Sequence, residues 1–144
     1  MNSKVKEVVT TVIITLVIMI AMIWGRTYYS QWKQFNIGEE AFKKIDLRSA
    51  ISGYDSAIHM YTPGSGMVKR SIDRLWQIGE MFEKRNQSDW ALLAYRSLRS
   101  SLYSTRSFYT PYPEWIERCD KKIALILAVK EGPAALNPPN PPRK

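Results

Sequence analysis

After a few polar residues the chain runs from Val8 to Gly25 (VVTTVIITLVIMIAMIWG) without a charge and with threonine as its only polar side chain. At ~1.5 Å per residue a helix over this run reaches roughly 27 Å, close to the ~30 Å hydrocarbon core of a bilayer. Val5 and the aliphatic stems of Lys4 and Lys6 extend it by snorkelling. Trp24, Tyr28, Tyr29 and Trp32 follow at the exit, where amphipathic rings favour the headgroup layer. The rival reading, a cleaved signal peptide, calls for an apolar stretch of about 7–15 residues and a small-x-small cleavage site. The exit here reads Ala-Met-Ile-Trp-Gly-Arg, which suits a peptidase poorly.

From Arg26 the apolar positions recur at helical spacing instead. The pattern predicts a helix over 27–44, able to run on from the apolar helix because no Pro or Gly cluster interrupts 26–34. A second helix is predicted over 46–61 with Asp46 as N-cap, ended by Tyr61-Thr-Pro-Gly-Ser-Gly66. A third covers 67–85, and Asn86-Gln-Ser-Asp89 closes that hairpin, with Ser88 or Asp89 capping a fourth helix from Trp90 to Ser107. Tyr109-Thr-Pro111 repeats the earlier Tyr-Thr-Pro, and Pro113 opens a last helix, 114–130, whose Ile116, Cys119, Ile123, Ile126 and Leu127 share one face. No strand pattern survives beside these. The expectation is an all-α protein in four parts: a tail 1–7, a transmembrane helix 8–25, a helical domain 26–131 and a Pro-rich disordered tail 132–144. That last stretch holds five of the eight prolines.

The helical part contains a repeat. Shifted by 41 positions, residues 33–58 lie over 74–99 with seven identities in 26 pairs: Ile37/Ile78, Gly38/Gly79, Glu39/Glu80, Lys43/Lys84, Ala50/Ala91, Tyr54/Tyr95 and Ser56/Ser97. Each copy reads Ile-Gly, then twelve positions from Gly to Ala, then Ala-x3-Tyr. This spacing resembles the tetratricopeptide repeat, W-x2-L-G-x2-Y then A-x3-F. The second copy matches through Leu75, Ile78, Gly79, Phe82, Ala91 and Tyr95. The first departs from it at Gln34 and Ala41, where large apolar residues are expected. A generic pair of helical hairpins is the alternative. The resemblance implies two hairpins followed by a capping helix. It also implies a concave groove lined by Trp32, Phe35, Glu39, Phe42 and Lys43 from the first copy, and by Asp73, Trp76, Glu80, Glu83 and Lys84 from the second. These rings serve either as groove or as core.

Charge adds a second surface. The net charge is +8, and residues 26–144 hold 19 Lys/Arg against 12 Asp/Glu. No acidic residue occurs between Asp89 and Glu114, while Arg96, Arg99, Tyr103 and Arg106 share one helical stripe. Such a stripe is either a solvated face or a clamp for phosphates or a partner's carboxylates. The charge comes with no nucleic-acid motif, so no nucleic-acid partner is expected.

Catalytic chemistry finds little foothold. There is one histidine, His59, and one cysteine, Cys119, with no HExxH, CxxC, GxSxG or Walker pattern. Neither enzyme activity, metal nor cofactor is expected. The lone cysteine excludes an internal disulfide and reads as a small core residue. Two repeats are marginal alone, so another protein, self-association or the membrane helix should complete the domain. The expected function is a single-span adaptor or accessory protein that binds another protein beside the bilayer. The alternatives are a small structural subunit of a membrane complex and an anionic-lipid binder using the Arg stripe. Lys4 and Lys6 tie with Arg26 and Lys33 in the positive-inside count, and the terminal amine tips the expectation to a cytoplasmic N-terminus and an exported domain.

Overall fold

A computed structural model describes residues 3–62, 64–105 and 112–132. The described residues form five helices and no strand: α1 (Ser3–Lys43), α2 (Leu47–His59), α3 (Gly66–Lys84), α4 (Ser88–Ser104) and α5 (Pro113–Glu131). The Pro-rich tail from 133, Pro63 and the second Tyr-Thr-Pro lie outside the described residues.

α1 is the organising element. Its 41 residues run without a break from the apolar stretch into the helical part, so no hinge marks the expected boundary at Arg26. At ~1.5 Å per residue it is roughly 60 Å long. The apolar half packs against no other element among the described residues, and its side chains stand exposed from Val5 to Trp24. Thr10, Thr11, Thr15 and Thr27 donate their hydroxyls to the carbonyls four residues back, at 2.8–3.0 Å. This satisfies each hydroxyl within the helix, as an apolar surrounding requires. The helix is long and apolar enough to cross a membrane.

The second half of α1 packs against α2; α2 packs on α3, α3 on α4, and α4 on α2 and α5. Tyr54, Tyr95, Ile58, Ile72, Leu75, Ile78, Leu98 and Leu102 are fully buried between them. The two connections that close the α1/α2 and α3/α4 pairs are built alike. The N–H of Asp46 reaches the Ala41 carbonyl at 3.0 Å, and the N–H of Gln87 reaches that of Phe82 at 2.9 Å. Each closure follows a left-handed residue, Ile45 (φ 62°) and Asn86 (φ 56°). Both positions are 41 apart. Asp46 caps α2 as expected, its carboxylate accepting from the Ser49 N–H at 3.2 Å. The expected cap of α4 by Ser88 or Asp89 is corrected. Gln87 occupies the N-cap without a side-chain hydrogen bond, because the turn through Asn86 starts the helix at Ser88 itself.

The equivalent glycines do equivalent work. A β-carbon on Gly38 would lie 2.8 Å from the Tyr54 ring, and one on Gly79 would lie 2.6 Å from the Tyr95 ring. Gly53 of α2 abuts the backbone of Gly38, at 2.6–2.7 Å from its own hypothetical β-carbon. Small residues here set how closely the paired helices approach. Ile37 and Ile78 differ, however: Ile78 is fully buried, whereas Ile37 is 43 % exposed.

Gln31 ties α1 to α2 near the end of the apolar stretch. It is fully buried, and its Nε2 donates to the Ala57 carbonyl at 2.9 Å. That carbonyl lies in the last turn of α2, where helical partners run out.

Candidate functional site

Two adjoining cavities open between α1 and α3 and share Phe35 and Arg70 as walls. The first, about 400 Å³, is lined by Phe35, Glu39, Arg70, Asp73, Arg74 and Gln77. The second, about 330 Å³, lies nearer the apolar half of α1 and is lined by Tyr28, Trp32, Phe35, Asn36, Gly66, Met67 and Arg70. Together they make a trough between α1 and α3.

Glu39 organises the first cavity. It accepts from Tyr54 Oη at 2.8 Å, from Arg74 Nε at 2.6 Å and from Arg74 Nη2 at 2.9 Å. Arg74 is thereby held in a two-pronged grip, with its Nη1 donating to Gln77 at 3.0 Å and its guanidinium 5.2 Å from the Phe42 ring centre. Burial would raise the Glu39 carboxyl, but the hydrogen bonds from Arg74 and Tyr54 and the charges of Arg74 and Lys43 outweigh it and hold its pKa below the usual value. Burial and the same carboxylate push the Tyr54 phenol well up, so it stays a donor. Phe35 packs at a tilt against Tyr54, ring centres 5.8 Å apart, and closes the wall.

The expected groove residues separate into three groups. Trp32, Phe35, Glu39 and Asp73 line the open trough. Trp76, Glu80 and Glu83 do not: α5 occupies their side of α3. Trp76 packs 4.9 Å from Tyr95 and 5.5 Å from Trp115, donates to Glu80 at 2.8 Å, and lies under Arg118 at 4.5 Å. Glu83 holds Lys122 at 2.7 Å. Phe42 sits beneath Arg74, and Lys43 and Lys84 are exposed near the ends of their helices. Arg70, Arg74, Gln77, Asn36 and Met67 also line the trough, though the repeat pattern did not single them out. Their signal in the sequence is the i, i+4 spacing of Arg70 and Arg74 on the face that also carries Asp73 and Gln77.

The Arg stripe is partly consumed. Arg99 pairs with Asp120 of α5 at 2.6 Å and lies 5.3 Å from the Tyr103 ring centre. Arg96 is exposed, and Arg106 lies outside the described residues. The local absence of carboxylates on α4 is thus offset from α5. Of the exit aromatics, Trp24, Tyr28, Tyr29 and Trp32 are all exposed on α1, with Tyr29 and Trp32 rings 6.0 Å apart.

His59 stands beside a carboxylate that the sequence alone did not place. Asp55 lies 3.6 Å from its Nδ1 and also accepts the hydroxyls of Ser97 at 3.0 Å and of Ser101. The His59 Nδ1 lies closer still to the Asp55 backbone carbonyl, one turn back on α2, at 2.9 Å. The cluster ties α2 to α4. Cys119 is fully buried, and burial followed by the nearby Asp120 pushes its thiol up to about 12.

Comparison with known protein families, with curated proteins and with solved structures returned no match.

Proposed function

We propose that this chain is a single-span membrane protein whose helical-repeat domain binds another protein beside the bilayer. One observation carries the reading. The helix able to cross the membrane continues without a break into the wall of the trough, so the same element would anchor the chain and present the site. The repeated Gly–Tyr contacts and matching helix closures support a tetratricopeptide-like pairing of the hairpins. Within the trough, Phe35 and the Arg74–Glu39 pair offer an aromatic surface beside fixed charge, which fits an amphipathic peptide or helix. The domain is proposed to lie on the outer side and the N-terminus in the cytoplasm, which a reporter fused to the C-terminus would test.

A second reading, a structural subunit of a larger membrane complex, draws on the outer face of α5. Leu125 and Val129 are exposed there beside Ile126, around a cavity of about 300 Å³. A further helix could continue the stack on this face. A photo-crosslinking side chain placed at Gln77 or at Leu125 of the full chain, in its native membrane, separates the two. A discrete adduct from position 77, lost in Phe35→Ala, supports the adaptor. Adducts from 125 alone support the subunit.

A further inference from the structure

The acidic residues are unevenly placed along the bundle. Residues 26–38 and 56–72 contain no Asp or Glu, yet carry Arg26, Lys33, Lys69 and Arg70. These two segments line the second cavity, from Tyr28 to Asn36 on one side and from Gly66 to Arg70 on the other. On α1 and α3 the nearest carboxylates are farther along, at Glu39 and Asp73, while Asp55 of α2 lies at this end but is turned toward Ser97 and Ser101 of α4. Arg74, Arg99 and Lys122 are each held by a carboxylate, whereas Arg26, Lys33, Lys69 and Arg70 have no ion pair among the described residues. The end of the bundle beside the apolar stretch is therefore basic, aromatic and hollow.

Its height above the apolar run is set by α1. Tyr28 stands about 5 Å beyond Gly25 along the helix and Asn36 about 17 Å beyond. The headgroup layer adds roughly 5–8 Å on each side of the hydrocarbon core. Of the residues lining the cavity, Tyr28 thus stands within the headgroup layer and Trp32 just beyond it, about 11 Å from Gly25, with Arg70 on the opposite wall from α3.

We propose that the cavity formed by Tyr28, Trp32, Phe35, Asn36, Met67 and Arg70 holds the headgroup of an anionic phospholipid. The inference rests on the reading that α1 crosses the bilayer. The cavity volume of about 330 Å³ accommodates a phosphodiester and its polar substituent. Arg70 supplies a planar fork for the phosphate oxygens, Asn36 a further donor, and the Tyr28 and Trp32 rings flank the glycerol region. Lys33 and Lys69 add attraction without fixed geometry. The site differs from the Arg stripe, which the sequence offered for an anionic lipid, because Arg99 of that stripe is paired with Asp120. A bound headgroup would fix α3 against α1 at the floor of the trough and so couple lipid composition to the protein-binding surface.

The full chain, reconstituted in nanodiscs of mixed phosphatidylcholine and phosphatidylglycerol, tests this by the ratio of lipids it retains in native mass spectrometry. Phosphatidylglycerol is expected to be enriched over the bulk ratio by about five-fold or more, the factor that one surface basic residue supplies. Arg70→Glu should abolish the enrichment, while Arg48→Glu, an exposed substitution at the far end of α2, should leave it intact. Absence of enrichment, or equal loss in both variants, overturns the proposal. Inorganic phosphate at an ionic strength matched with chloride should not displace the lipid; displacement would assign the cavity to free phosphate and overturn it equally. Alkaline extraction of vesicles distinguishes the premise. A chain washed off the bilayer defeats the spanning reading, whereas a retained chain with no enrichment defeats the headgroup assignment alone.

Discussion

Gly79 faces the ring of Tyr95 so closely that a β-carbon there would come within 2.6 Å of Cε1, and Gly38 stands to Tyr54 in the same way 41 residues earlier. The glycines are the condition for each helix pair to close around a buried phenol. Alanine ordinarily favours a helix over glycine by about 1 kcal/mol, but overpacking costs about 1–3 kcal/mol. Gly79→Ala should therefore destabilise the fold even though it improves helix propensity. Gly53→Ala should be worse, because its new β-carbon meets the Gly38 backbone instead of a ring that can tilt. Gly25→Ala, with nothing within 4 Å, should be neutral or stabilising. Thermal unfolding in detergent, followed by circular dichroism, ranks the three.

The Glu39–Arg74–Tyr54 cluster makes stability depend on acid. The Glu39 carboxyl has a folded pKa below its unfolded value, so its contribution is complete above the ordinary carboxylate pKa and is lost as pH falls through the folded value. Glu39→Gln should flatten that part of the stability–pH curve. Glu39→Ala should cost about 1–3 kcal/mol at neutral pH by leaving both donors without their acceptor. Denaturant titrations at several acidic pH values measure both effects.

Cys119 should behave as an inert thiol. With its pKa pushed up to about 12 and its side chain fully buried, it carries almost no thiolate at neutral or mildly alkaline pH. Maleimide labelling at pH 8 should be negligible in the folded chain and complete in denaturant. Rapid labelling of the folded protein would show that α5 separates readily from α4.

Gln31 should matter more than an ordinary polar helix residue. Gln31→Leu keeps volume but removes the donor to the Ala57 carbonyl, at an expected cost of about 1–3 kcal/mol. The loss should appear as faster hydrogen exchange in the last turn of α2, with α4 little changed.

Much of the fold was legible because it is local. The charge-free run, the break between α2 and α3 and the Asp46 cap each follow from neighbouring residues. The 41-residue repeat also pointed to Gly38 and Gly79 and to their tyrosines. Three features depended on distant contacts that periodicity does not carry. Trp76 carried the spacing of a groove residue, but Trp115 and Arg118 arrive from α5 to cover it. Arg99 sat in an acid-free stretch, but Asp120 reaches it from 21 positions away. Ile45 adopts a left-handed backbone that a β-branched residue resists, imposed by the helix closure that Asn86 makes easily in the other pair. The open trough was anticipated only on its α1 side and at Asp73, since Arg70 and Arg74 belong to a face defined by how α3 meets α1.

The proposed function requires that one rigid helix carry the chain from the bilayer into the wall of the trough. Spin labels at Ile18→Cys and Glu40→Cys, in full chains reconstituted in lipid vesicles, test it by pulsed electron paramagnetic resonance, and the buried Cys119 need not be removed. An unbroken helix gives a single narrow distance near ~33 Å. A broad or markedly shorter distribution would mean a flexible joint beyond Gly25, and the trough would then hang on a tether instead of being fixed at the membrane.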